Sequence, residues 1–153
     1  MSGICAFFGH RNTPITFELE KKLEEAVYSL INRGYDEFWC CNEGTFDTLS
    51  RIVMLRVKQN VPYINLCYVS AYNPDKFSKL RQQELQEKFE IIYLPEFESS
   101  YPKFAITRRN KYIAQNADTI ICYIKNNTGG AYQATSLAKK QEKELINLAS
   151  LSN

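Results

Sequence analysis

The chain has a single histidine, His10, and no two cysteines at the spacing of a turn. Protein zinc sites draw on histidine and cysteine ligands that a turn brings together, so no metal site is expected. No apolar run approaches the ~20 residues needed to span a bilayer. The N-terminus lacks a basic stretch followed by an apolar one and a cleavage site. The expectation is a cytoplasmic protein with no membrane partner. Charge of one sign is also scarce, since 19 basic residues against 17 acidic ones leave a net charge of +2. Affinity for a phosphate backbone rests on clustered cations, so nucleic acid is not expected as a partner. Neither G-x-G-x-x-G nor G-x-x-x-x-G-K-S/T occurs, which argues against the usual dinucleotide cofactor and against a P-loop nucleotidase. No cofactor is expected.

What is present suits one globular domain over residues 1–153. An apolar fraction of 44% and a charged fraction of 24% are ordinary for such a domain, and a chain of this length can bury a full core. The five cysteines, Cys5, Cys40, Cys41, Cys67 and Cys122, fall in strand-like runs or at their ends. They read as reduced core residues, with adjacent Cys40 and Cys41 pointing to opposite faces of a strand.

Apolar runs alternate with helical patterns. ICAFFG (4–9), EFWCC (37–41), YINLCYVSAY (63–72), IIYL within 90–103, DTIICYIKN (118–126) and LINLA (145–149) read as strands. The spacing predicts helices over 16–33, 45–60, 76–89, 104–117 and 131–144. In the first, Phe17, Leu19, Leu23, Val27, Leu30 and Ile31 share a face, and Gly34 ends it. In the second, Leu49, Ile52, Val53 and Val57 face inward. The third carries mixed charges and reads as a solvated surface. Residues 90–103 are the least regular part, broken by two prolines. Their aromatics, with Phe104, either fold back or cover a partner. Continuous apolar strands alternating with helices imply an α/β fold: a doubly wound, mostly parallel, Rossmann-like sheet covered on both faces. Ligands of such sheets lie beyond the carboxyl ends of the strands, which singles out GHRN (9–12), NEGT (42–45), SAYN (70–73) and NNTGG (126–130).

Each corner offers a particular chemistry. Gly9 permits a sharp turn, and Arg11 can fork onto a phosphate or carboxylate. His10 has no recognisable nucleophile beside it. Asn42, Glu43, Gly44 and Thr45 stand at a helix start, where free amides suit an anion. Thr45 is expected to cap that helix, with Asp47 stabilising its first turn. Glu43 has no evident packing role; it can accept from ribose hydroxyls or act as a nucleophile or base. Gly129 and Gly130 allow close backbone approach to a phosphate. Arg108, Arg109 and Asn110 lie on an amphipathic helix, from which one arginine can reach the crevice. Arg109 is expected to be a surface residue whose removal leaves folding nearly unchanged.

In this order, CAFFGHR, GYDEFWCCNEGTFD, PKFAITRRNKYIAQNADTIICYI and TGGAYQA resemble the SLOG superfamily, the group that contains the SMF/DprA and LOG proteins, and within it the YpsA-like branch. The resemblance spans residues 4–148. It implies a doubly wound sheet, frequent homo-oligomers, and a crevice for nucleotides or ligands derived from them. Two departures stand out. Relatives usually carry Gly-Gly before Glu-Gly-Thr, where this chain has Cys41-Asn42. LOG hydrolases carry Pro-Gly-Gly-x-Gly-Thr-x-x-Glu, and here Tyr132, Gln133 and Ser136 replace the last glycine, the threonine and the catalytic glutamate. LOG-type phosphoribohydrolase activity is therefore not expected.

The combined reading is a domain that binds a small nucleotide derivative carrying ribose and phosphate, of an ADP-ribose or cyclic-nucleotide type, and that self-associates. Arg11 and Arg109 would meet phosphate, Glu43 ribose, and the amides at Gly129 and Gly130 the ligand. Tyr132 would stack on a base. No catalytic residue is firm; Glu43 is the candidate for the alternative, an N-glycoside hydrolase or deoxyribosyltransferase-like enzyme. A further alternative is a sensor or sequestering protein in phage–bacterium conflict.

Overall fold

The computed structural model describes residues 3–98, 101 and 104–151, without the side chains of 150 and 151. Six strands form one sheet: β1 (Gly3–Gly9), β2 (Tyr35–Cys40), β3 (Asn65–Val69), β4 (Glu90–Ile92), β5 (Thr119–Tyr123) and β6 (Glu144–Asn147). All pairs are parallel, in the order β4-β3-β2-β1-β5-β6. Helices α1 (Phe17–Asn32), α2 (Thr45–Asn60), α3 (Lys79–Lys88), α4 (Ala105–Asn116) and α5 (Gly130–Lys140) connect them. The fold is a Rossmann-like, doubly wound α/β sheet. Among the described residues no helix is long and apolar enough to cross a membrane.

Strand side chains alternate between faces, and the two cores follow from that alternation. Cys5, Phe7, Phe38 and Cys40 pack with Leu23, Val27 and Leu30 of α1 and Val53 and Met54 of α2. Ala6, Phe8, Trp39 and Cys41 pack on the other face with Ile113 and Ala114 of α4 and Ala134 and Ala138 of α5. Adjacent Cys40 and Cys41 thus enter different cores, and all five cysteines are free and buried.

Several elements depart from the expected bounds. Phe17 is 83% exposed and Ile52 52% exposed. Phe17 lies about 200° round the helix from Leu19, at 100° per residue, and Ile52 sits one step outside the face carried by Leu49 and Val53. The third strand covers only Asn65–Val69, because Ser70 and Tyr72 already turn, the Ser70 hydroxyl donating to the Tyr72 carbonyl. The charged helix begins later, at Lys79, capped by the Ser78 hydroxyl after a 3-10 turn over Pro74–Lys76. The last helix stops at Lys140, where Glu142 takes a positive φ of 62°. Thr45 is not the cap of α2. Gly44 holds that place at φ 126°, with no capping side chain. Phe97 folds back, 3% exposed, against Tyr93 and Tyr112. Pro102 lies outside the described residues.

The sheet grows outward in both directions from β1 and β5, so the order reverses between these two strands. That switch point opens a crevice at their carboxyl ends. Gly9 ends β1 there because a Cβ at this position would stand 2.3 Å from the Phe46 ring. Gly9→Ala should therefore lower stability by roughly 1–3 kcal/mol, the usual range for overpacking. The measurement is the denaturant midpoint at unchanged slope; an unchanged midpoint would show that Phe46 can move aside.

Candidate functional site

The crevice is a cavity of about 240 Å³ walled by the ends of β1 and β2 with the loops that follow them, the first turn of α2, the first two turns of α4 and the start of α5. Of the residues singled out from sequence, Gly9, Arg11, Glu43, Arg109, Asn110, Gly129 and Gly130 line it. Asn42 does not; it lines the two neighbouring cavities. Gly44 and Thr45 lie behind the wall and hold loops together. The Thr45 N–H donates to the Arg11 carbonyl at 2.9 Å and its hydroxyl to the Thr13 carbonyl at 2.7 Å. A Cβ on Gly44 would meet the Arg11 backbone at 2.5 Å, so the glycine is required by space as well as by its φ. Tyr132 is not part of the lining; it lies two residues, roughly 200° round the helix, from Gly130.

Arg109 is the main correction. It is 1% exposed, and its guanidinium is threaded between strand ends. Nη1 donates to the Val69 carbonyl at 3.1 Å and Nε to Asn110 Oδ1 at 2.9 Å. Nη2 faces Glu43 Oε2 at 3.4 Å without forming a hydrogen bond. Glu43 Oε1 lies 3.9 Å from Nη2 of Arg11, which is 70% exposed. One carboxylate thus sits between a buried arginine and an exposed one. Arg108 points elsewhere and donates to the Phe97 carbonyl.

Asp47 also does more than stabilise a helix turn. It is 5% exposed, and its Oδ2 accepts from the Glu43 N–H at 2.7 Å, which sets the Glu43 corner. Burial pushes its pKa up to about 6, against the pull of the Glu43 N–H, Arg109 and Arg51. Arg51 holds the same corner from outside by donating to the Cys41 carbonyl. Cys41 lines the cavity, but burial pushes its thiol up to about 12, so it is no nucleophile at neutral pH. His10 Nε2 accepts from the N–H groups of Lys125 and Asn126 at 2.9 and 3.0 Å, tying the β1 loop to the β5 loop. Sequence reading assigned no role to Phe8, Ile106 or Ala131, which also line the cavity. Ile106 was findable, since it precedes Arg109 and Asn110 by three and four positions on one helix face.

Cations and free amides therefore converge at one point. The N-terminus of α5 has no capping side chain, and neither Gly129 nor Gly130 has an atom within 4 Å of where a Cβ would stand. Both glycines line the cavity, and the space on the side where their Cβ atoms would stand is open.

No family model and no curated protein matches the chain. Solved structures do. DNA processing protein A (DprA) from Streptococcus pneumoniae superposes with a TM-score of 0.67 at 20% identity, over 94% of this chain and 49% of that one. DNA processing protein A from Helicobacter pylori, described for its single-stranded DNA binding mode, gives 0.66 at 18% identity, over 93% and 63%. The chain shares the fold of DNA processing protein A. It spans about half to three fifths of those chains, and at this identity the likeness is one of fold alone. The expectation that nucleic acid is no partner is corrected: a chain of this fold binds single-stranded DNA. The error lay in arguing from net charge, which does not report where charged groups gather; here Arg11 and Arg109 meet at one crevice, together with Glu43 and Asp47.

Two measurements follow. Arg109→Ala should destabilise the fold by roughly 2–5 kcal/mol, because it strands the Val69 carbonyl and leaves Glu43 without its buried partner; an unchanged melting temperature would contradict the buried role. Asp47 has a folded pKa above its unfolded one, so its protonated form stabilises the fold at low pH and that contribution fades as pH rises through about 6. The same ionisation places a negative charge in the cavity wall beside Glu43, Arg109 and Arg51. Sulfate, which does not titrate in this range, should bind roughly three- to tenfold more weakly at pH 8 than at pH 5, the scale of one nearby partly screened charge. Asp47→Asn should flatten that profile in calorimetry.

Proposed function

We propose that the crevice binds a nucleotide-derived ligand through one phosphate and one ribose. The phosphate lies against the amides that open α5, within reach of Arg109 Nη2, and Arg11 closes over it from the rim. Ribose hydroxyls donate to Glu43. The observation that carries this reading is Arg109 Nη2, a buried charged donor at the wall of the cavity that has no hydrogen-bond partner among the described residues and only the Glu43 carboxylate facing it at 3.4 Å. A buried donor left unmatched costs about 1–3 kcal/mol, and more when charged. An anion oxygen placed there removes that cost and meets the uncapped helix terminus as well. Free nucleotides of ADP-ribose or cyclic type carry the required groups, and membership of the YpsA-like branch, which rests on the sequence motifs, fits such a ligand. The second reading is that the phosphate belongs to a single strand; the DNA-binding neighbour of the same fold supports it.

A rival use of the same groups is chemical. Glu43 would attack a glycosidic carbon and Asp47, with its raised pKa, would supply the proton. The ion pairs that Glu43 makes with Arg109 and Arg11 favour a fixed acceptor over a nucleophile.

Calorimetry with sulfate and with a ribonucleoside 5′-monophosphate tests the proposal. Gly130→Ala adds a methyl group in open space at a helix start, so the fold should keep its stability while both ligands lose at least about tenfold in affinity, as steric exclusion at a charge-assisted contact requires. Glu43→Gln should split them: sulfate binds more tightly once a negative charge is gone, and the ribonucleotide gains less or loses. Equal gains for both would remove Glu43 from ribose recognition. Mass analysis of the nucleotide after long incubation should return it intact; release of free base by wild type and not by Glu43→Gln would establish the enzyme instead.

A further inference from the structure

The phosphate cavity has a neighbour. A second cavity, of about 180 Å³, opens over the carboxyl ends of β2 and β3 and shares two residues with the first, Glu43 and Arg109. Neither reaches the ~300 Å³ at which pockets for drug-sized ligands begin; joined, they do. The shared wall is the pair proposed above to hold ribose and phosphate, so a ligand seated there faces the second cavity directly.

The lining of the second cavity differs in kind. Tyr72 stands at the end of β3, 38% exposed, with no ring packed against it among the described residues. Asn42 is exposed, and its side-chain amide makes no hydrogen bond among the described residues. The Arg81 guanidinium lies 4.0 Å over the Phe77 ring and donates to the Tyr68 hydroxyl, so it is held as a flat cation on this wall. An unpartnered aromatic face, a free carboxamide and an oriented guanidinium are the groups that stack on a nucleobase and read its edge. Packing does not account for Tyr72 or Asn42, both exposed, and Arg81 stays exposed although it rests on Phe77 and Tyr68.

We infer that the ligand spans both cavities, with its phosphate and ribose at Glu43–Arg109 and a second, aromatic unit, a nucleobase, on Tyr72 beside Asn42 and Arg81. This rests on the function proposed above and extends it from a phosphate site to a ligand of two units. The shared chemistry is a nucleobase joined through a phosphodiester or a pyrophosphate to the phosphate held by α5. Two sources carry it: a short single strand, and a free ADP-ribose-type molecule.

The test is calorimetry on the full chain with three probes: the monophosphate ribose 5-phosphate, the dinucleotide pTpT and ADP-ribose. At least one two-unit probe should bind roughly tenfold or more tightly than the monophosphate, the scale of one base stacked on an aromatic ring. Tyr72→Ala and Arg81→Ala should each reduce that ratio toward one, with melting temperatures confirming that both variants fold. A gain for pTpT alone assigns the second unit to a strand, and a gain for ADP-ribose alone to the free molecule; either upholds the inference. Equal affinity for all three probes, or a gain that survives in both variants, overturns it while leaving the phosphate site in place. Loss of every interaction, sulfate included, would instead remove the proposed function beneath it.

Discussion

A guanidinium cannot shed its charge, so burying one obliges the surrounding chain to supply acceptors. Arg109 makes that demand at the centre of this molecule. The Val69 carbonyl answers from the end of β3, Asn110 from α4 itself, and Glu43 from the loop after β2. Asp47 in turn fixes the Glu43 backbone, and Arg51 fixes the Cys41 carbonyl just before it. One charge from one face of the sheet thus sets the positions of two strand ends. Because only part of its donor capacity is used, it also leaves a directed positive charge at the cavity.

The remaining walls are positioned by ties of a humbler kind. Thr45 clips the start of α2 to the β1 loop through Arg11 and Thr13, and His10 clips that loop to the one leaving β5. Backbone groups are the partners in every case, so the loops meet in one register whatever their exposed side chains do. The result is a preorganised crevice at the switch point, with the uncapped start of α5 as its floor. Preorganised amides stabilise an anion without a cost of ordering at the moment of binding.

Few of the groups that line the crevice are placed to turn a ligand over. The acidic pair Glu43 and Asp47 is held by arginines and a backbone N–H, while Cys41 stays protonated in its core. The binding proposed above is the simpler use of the geometry, and its groups would suit a free nucleotide or one unit of a strand. In the inference drawn above, Tyr72 after β3 and Arg81 on α3 would supply the second platform, and recognition would extend away from the phosphate without any change of fold.

Much of this was legible in the chain order. Six apolar runs alternating with helical patterns determined a doubly wound sheet, and the strand-end rule placed Gly9, Arg11, Glu43, Gly129 and Gly130 at its crevice, because the carboxyl ends of parallel strands all lie on one side. The adjacent cysteines entered opposite cores because a strand has a period of two. Burial was not legible. A period pattern reports which residues share a helix face, not how deep that face sits, so Arg109 read as a surface arginine and Phe17 as a core one. Nor could the sequence show that Gly44 rather than Thr45 caps α2, since the choice depends on the Arg11 backbone 2.5 Å from where a side chain would begin. Net charge misled about partners for the same reason. Composition is a sum over the chain, whereas the field at a site depends on distances, and only the tertiary structure brings Arg11, Glu43 and Arg109, far apart in sequence, within 4 Å steps of one another.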